Sequence, residues 1–236
     1  KKTLPNIGDA SRKTEFSALL NLANALADWE RFEHGHALNK FTELSKHANN
    51  LEAVLGYDFT PRIARAKSQL EAINNMPKGA VSMALTVDLL ANASRRIQEC
   101  RYDDAVARLY RAIEALAQVR LQTHGFADTA KVPLDQVPEP IRSEWQTRAR
   151  NGMVSLGLQD DYALLEALGD ELGSRFKEKG MADRDKSPLV SRNSSILAHG
   201  FFPVGEAAAR QLFKAALALA SIEESSLTAF PSLTHN

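Results

Sequence analysis

Arg101-Tyr102-Asp103-Asp104-Ala105-Val106-Ala107-Arg108-Leu109-Tyr110-Arg111-Ala112-Ile113-Glu114-Ala115-Leu116 places apolar or small residues at three-and-four spacing, the pattern of one helical face. The pattern predicts a helix from Asp103 to His124, closed by Gly125 as C-cap. A second helix is expected from Val81 to Cys100. The tight Arg101-Tyr102 connection makes the two an antiparallel pair. Arg108, Arg111 and Glu114 share one flank of the later helix and can pair there.

Working outward, Phe16, Leu19, Leu20, Ala23, Leu26 and Ala27 mark a first helix, and Leu38, Phe41, Leu44, Leu51, Val54 and Leu55 a second. A short helix through Leu70 and Ile73 follows the break at residues 56–61, and residues 74–79 form a stop. That stop divides the chain into a helical linker or extension, residues 1–78, and a second domain, residues 79–236. Pro133, Pro138 and Pro140 forbid a continuous helix between Phe126 and Pro140, after which a short basic helix runs to about Asn151. Asp160 or Asp161 can cap a helix with the stripe Leu164, Leu165, Leu168, Leu172 and Phe176; Gly169 and Gly173 would let a neighbour approach closely. Ser187-Pro188 opens a helix ending at Gly200, and a last helix spans about Gly205 to Leu227. Every element reads as α.

Composition agrees. Ala and Leu number 35 and 30 against 10 Val and 8 Ile, which argues against a sheet protein. Lys and Arg balance Asp and Glu at 29 each, so contact with nucleic acid must be local. The single Cys100 cannot form an intramolecular disulfide or a cysteine-rich zinc site, and no histidine has trustworthy ligand partners, so neither metal nor cofactor is expected. Neither a bilayer-length apolar run nor a signal segment is present, which points to a cytoplasmic protein without membrane contact. The chain begins at Lys1 rather than at methionine, leaving room for a preceding domain.

The chemistry gathers at Ser191-Arg192-Asn193-Ser194-Ser195-Ile196-Leu197-Ala198-His199-Gly200. On a helix, Arg192 and His199 are two turns apart and only about 20° out of line, so both can act on one phosphate. They lie at the rim of an apolar arc formed by Leu189, Val190, Ile196 and Leu197, with Asn193 inside it. Gly200 and Pro203 end the helix, and the negative end of its dipole favours a protonated His199, a proton donor.

Arg-Asn, five residues, then His resembles the signature of HEPN domains, the α-helical fold of many metal-independent ribonucleases. A second match, Arg31 to His36, has Phe32 at the polar position and Gly35 in the spacer, and reads as chance. The chain from Trp29 to Phe230 resembles the C-terminal part of CRISPR-associated CARF-HEPN proteins of type III systems. The likeness is carried by Asp28-Trp29-Glu30-Arg31-Phe32-Glu33-His34, by the stretch from Arg101 to Arg111, and by Ser195-Ile196-Leu197-Ala198-His199-Gly200. It implies an all-α HEPN-type bundle and an endoribonuclease cleaving single-stranded RNA in antiviral defence. Arg192 would hold phosphate, His199 would move protons, and Asn193 would position both. Such proteins act as homodimers with composite sites. A cyclic oligoadenylate would act only through a CARF domain, whose alternating strands and helices are not present here.

Other features keep two readings. Arg175, Lys177, Lys179, Arg184 and Lys186 give a basic excess just before the motif, either an RNA-binding patch or a solvated loop. Trp145 among Arg142, Arg148 and Arg150 can stack on a base or anchor a short helix. The stretch from Arg101 to Leu116 also resembles one tetratricopeptide helix, without a second copy at the required period of about 34 residues. The alternative to a nuclease is therefore a non-catalytic helical interaction or dimerisation module.

Overall fold

The computed structural model of the chain describes residues 10–77, 80–183, 187–190, 201–227 and 230–231. The chain forms two compact units, residues 81–227 being one, and the residues before and after them the other. The described residues carry ten α-helices and one two-stranded ribbon, an all-α architecture of HEPN type.

The first unit contains α1 (Ala10–Glu30), α2 (His34–Lys46), α3 (Ala48–Leu55) and α4 (Thr60–Asn74). Its core is Ala18, Leu22, Ala25 and Trp29 from α1, with Phe41, Leu51, Phe59, Ile63 and Leu70 from the rest. Phe16 and Leu20, expected on the buried stripe of α1, are 47% and 40% exposed, because the face that packs runs through Ala18, Leu22, Ala25 and Trp29 instead. The single helix expected over Leu38–Leu55 is two, since His47 leaves helical geometry (φ −131°) and donates its backbone N–H to Leu44. The break re-aims α3, burying Leu51 completely. Phe230 returns to this unit, its ring 5.2 Å from that of Trp29.

In the second unit α5 (Met83–Gln98) and α6 (Tyr102–Thr123) pair as the spacing predicts. Ser82 caps α5 by accepting from the Leu85 N–H, 3.1 Å. At the far end of α6, Gly125 (φ +92°) follows the cap residue His124. Gly125 N–H bonds Gln122 O and Phe126 N–H bonds Leu121 O, a Schellman closure.

A strand pair interrupts the all-helical expectation: β1 (Val132–Pro133) runs antiparallel to β2 (Met153–Val154). Just before β2, Asn151-Gly152, both at positive φ (51° and 73°), lies between the reciprocal backbone bonds of Arg150 and Met153, and Gly152 O accepts from the Leu134 N–H at 2.8 Å. That is a two-residue hairpin turn, and asparagine-glycine is its strongest sequence signal. The basic helix expected to reach Asn151 is consequently only α7 (Ile141–Trp145) followed by a 3-10 turn.

The one helix expected through Leu164 to Phe176 is also two, α8 (Leu158–Ala167) and α9 (Glu171–Glu178). Gly169 at φ +74° turns the chain, Asp170 starts α9 by accepting from the Leu172 N–H (2.9 Å), and Gly157 rather than an aspartate caps α8. Tyr162 docks α8 on α6, its hydroxyl donating to Ile113 O at 2.8 Å while its ring stacks on Phe176. Gly173 lies so close to α8 that an added Cβ would sit 2.2 Å from the Glu166 nitrogen. Gly173→Ala should therefore push α9 off α8 and cost about 1–3 kcal/mol, read as a lowered denaturation midpoint with unchanged helix content. An unshifted midpoint would show that the two helices can separate freely. The last helix, α10 (Glu206–Ala220), ends short of the expected Leu227 because Ser221 turns left-handed, φ 56°.

Candidate functional site

Arg192, Asn193 and His199 lie outside the described residues, as do Arg184 and Lys186. The chain on either side of the motif is described, and both ends are fixed to the second unit. On the entry side, Ser187 Oγ donates to Met181 O (3.1 Å) and accepts from the Leu189 N–H (3.1 Å), the N-cap geometry its sequence position predicts. Leu189 is buried. On the exit side, the Val204 N–H is shared by both carboxylate oxygens of Asp103, 3.3 Å each, and Val204 is buried. The chain after the motif is thus tied to the first turn of α6 at Val204.

That corner is densely charged. Arg96 grips Glu99 with both amino groups, Nη1 to Oε2 at 2.9 Å and Nη2 to Oε1 at 3.0 Å. Arg101 pairs with Asp104, and Arg108 Nη1 reaches the Asp104 carbonyl at 3.0 Å. Tyr102 bonds Cys100 and, across to α10, Glu206, which itself holds Arg210 at 2.7 Å. The Cys100 hydrogen bond foremost, with burial and the charges of Cys100 and Glu206, pushes the Tyr102 hydroxyl up to about 12.

Sequence reasoning took α5 as an ordinary core helix and missed its polar stripe. Asp88, Asn92 and Arg96 are spaced by four residues and all buried. The available signal was that recurrence inside an otherwise apolar helix.

Of the basic residues before the motif, Arg175, Lys177 and Lys179 are described. Arg175 caps the carbonyl end of α10, donating to Leu219 O (3.0 Å) and Ser221 Oγ (2.6 Å). Lys177 pairs with Glu166 at 2.9 Å, and exposed Lys179 closes α9. Trp145 is buried, so it anchors α7, while Arg148 covers its ring at 4.8 Å and reaches Asp160 at 2.7 Å. The second Arg-His match is dispersed: Arg31 follows the end of α1 and pairs with Asp28, Phe32 is left-handed (φ 63°), and His36 lies on α2.

Two buried carboxylates stand out on the other side of α6. Asp170 accepts from Arg120 Nε (2.6 Å) and His124 Nε2 (2.7 Å) on one oxygen and from the Leu172 N–H on the other. Burial alone would raise its pKa, but the His124, Leu172 and Arg120 hydrogen bonds outweigh it and hold the carboxyl below its ordinary range. Asp161 is fully buried with no hydrogen bond to either oxygen. Burial, and after it the charges of Glu114 and Asp160, push it up to about 8 despite Arg111 nearby. Arg111 spends its charge on Glu114 (2.9 Å), as the shared flank predicts, and on Gln118 (3.0 Å).

Among the described residues no group of three or more His, Cys, Asp or Glu side chains converges as a metal would require, and no helix is long and apolar enough to cross a membrane. Residues 74–223 match the family model described as the Csm6 HEPN domain, well over half of the chain. No curated protein matches the sequence.

Proposed function

Since this chain belongs to the Csm6 HEPN domain family, a CRISPR-associated HEPN family, we propose that it is an endoribonuclease acting on single-stranded RNA in antiviral defence. The observation that carries the proposal is the family match across residues 74–223, which encloses both Arg192 and His199. The pinning of Ser187 and Val204 supports it, because a segment tied at both ends loses less freedom when its side chains are brought to bear on a substrate.

The substrate's own 2′-OH attacks the adjacent phosphorus, the bond to the 5′-oxygen breaks, and the products are a 2′,3′-cyclic phosphate and a 5′-hydroxyl. With the nucleophile supplied by RNA, the protein has only to move protons and stabilise charge, which needs no activated water and no metal. Arg192 donates to the non-bridging oxygens, where its planar fork matches the growing negative charge. His199 transfers the proton, and Asn193, on the apolar arc that the sequence spacing predicts, holds the two in register. One imidazole cannot both accept the 2′-OH proton and protonate the departing oxygen in one step. A homodimer that brings two copies of the motif to one phosphate supplies both groups.

The test is cleavage of end-labelled single-stranded RNA in EDTA by the wild type, Arg192→Ala and His199→Ala. Wild type should cut, and each variant should lose at least about 100-fold in rate. Cutting by either variant at the wild-type rate would remove the site; no cutting by any of the three would favour the interaction module.

A further inference from the structure

An open groove of about 710 Å³ lies beside the hairpin of the second unit, within the size range of small-molecule sites. Its floor is apolar, formed by Pro133, Leu134 and Met153, with Met153 44% exposed. Backbone holds that floor, the Leu134 N–H donating to Gly152 O at 2.8 Å. Asp135 and Gln136 line the groove from the 3-10 turn after β1, and Glu139, Arg142 and Gln146 line it from α7 and its two flanks. Glu139 fixes the guanidinium: one of its oxygens accepts from Arg142 Nε at 2.9 Å while the other accepts from the Ser143 hydroxyl at 2.9 Å. Among the described residues the two Nη groups of Arg142 are left without an acceptor, and the side chains of Asp135, Gln136 and Gln146 without a hydrogen bond.

We propose that this groove binds a guanine base, with Asp135 and Arg142 reading its edges. An apolar floor below unengaged polar groups takes a flat ligand that is apolar on its faces and bonds at its rim. The two charged groups decide which ligand. A carboxylate accepts from a pair of neighbouring donors, and a guanidinium donates to a pair of neighbouring acceptors. Guanine carries both, N1–H and N2–H on one edge, O6 and N7 on another. None of the other three RNA bases has two neighbouring donor atoms, so none satisfies the carboxylate in the same way. The carboxamides of Gln136 and Gln146 donate and accept at once, which suits the ribose hydroxyls. Phosphate alone is a poor occupant, because Arg142 stands beside two carboxylates, Asp135 and Glu139. The groove is built from residues 133–153 and does not depend on the ribonuclease reading.

The experiment is calorimetric titration of the full chain with guanosine, adenosine and uridine 5′-monophosphates, among which the common phosphate cancels. Guanosine monophosphate should bind, and the other two should bind more weakly. Asp135 is exposed and makes no side-chain bond, so Asp135→Ala keeps the fold. It should weaken guanosine monophosphate roughly 5- to 150-fold. Inosine monophosphate lacks the N2 amino group; the native chain should bind it less well than the guanosine form, and Asp135→Ala should bind the two alike. Arg142→Ala should likewise cease to distinguish guanosine monophosphate from its 7-deaza analogue, which lacks N7. A uridine oligonucleotide with one central guanosine, titrated in a His199→Ala background, separates the sources of the base. Tighter binding than the mononucleotide assigns the groove to RNA, and weaker binding assigns it to a free nucleotide, both with guanine as the ligand. Equal affinity for the three monophosphates, no binding of guanosine monophosphate at millimolar concentration, or an equal loss of the guanosine and inosine forms in Asp135→Ala would overturn the proposal. A chain that binds guanine in this way but cuts no RNA would lose the ribonuclease reading and keep the groove.

Discussion

Replacing Asp161 by asparagine should make the protein more stable than wild type by several kcal/mol at pH 8, with the difference shrinking as pH falls. Asp161 has no exposed surface and no hydrogen bond to either carboxylate oxygen, with Glu114 and Asp160 adding like charge. Its carboxyl is pushed up to about 8 from an ordinary 3.8. Between those limits the folded protein keeps a proton that the unfolded chain has lost. Asp161 therefore costs nothing below about pH 4, costs about 1.4 kcal/mol more per pH unit up to about pH 8, and no more above it. Asparagine does not titrate and escapes that slope. Urea midpoints of both proteins at pH 5, 6.5 and 8 measure it, and parallel curves would show that the carboxylate finds water or a partner when ionised.

Asp170→Ala should act in the opposite sense, destabilising by about 3 kcal/mol at neutral pH. The substitution removes the N-cap of α9 and leaves Arg120 and His124 at the end of α6 without their acceptor. Arg120 is half in water, so the cap and the His124 bond account for most of the effect. Because the Asp170 pKa is lowered by folding, its contribution is complete above the ordinary aspartate range and disappears as pH falls through the depressed value. The variant and the wild type should converge in acid. A constant gap down to pH 3 would mean that the loss is one of packing alone. Asp170→Asn can still accept from Leu172 and should fall between the two.

These carboxylates mark where sequence reading runs out. The pairing of α5 with α6, the Gly125 closure and the Ser187 cap are local, set by residues three to five apart, and were legible. Asp161 and Asp170 look alike in the sequence, two acids beside a leucine-rich stripe, yet their pKa values move in opposite directions. The reason is that Asp161 is buried without a donor, with Glu114 adding like charge, while Asp170 meets donors from the end of α6. Such differences depend on partners about 50 positions away, and no period carries them. The helix breaks at His47 and Gly169 were hidden because apolar spacing continued across each turn. Asn151-Gly152 was legible in principle, but the basic residues before it suggested a helix running into the pair. For the motif itself, spacing placed Arg192 and His199 on one stripe; which groups of α5 and α6 adjoin its exit required the fold, with Asp103 as the tie.

The ring of Phe230 against Trp29 also sets an order of events during synthesis. Every residue of the 81–227 unit has left the ribosome before Phe230 does, so that unit can reach its native packing while the chain is still growing. Helices α1 to α4 are made before the 81–227 unit, yet the indole at their centre is without Phe230 until that whole unit has been made. Of the two units, the one whose helices are made earlier is thus finished later, and until then it must be kept from burying that indole elsewhere.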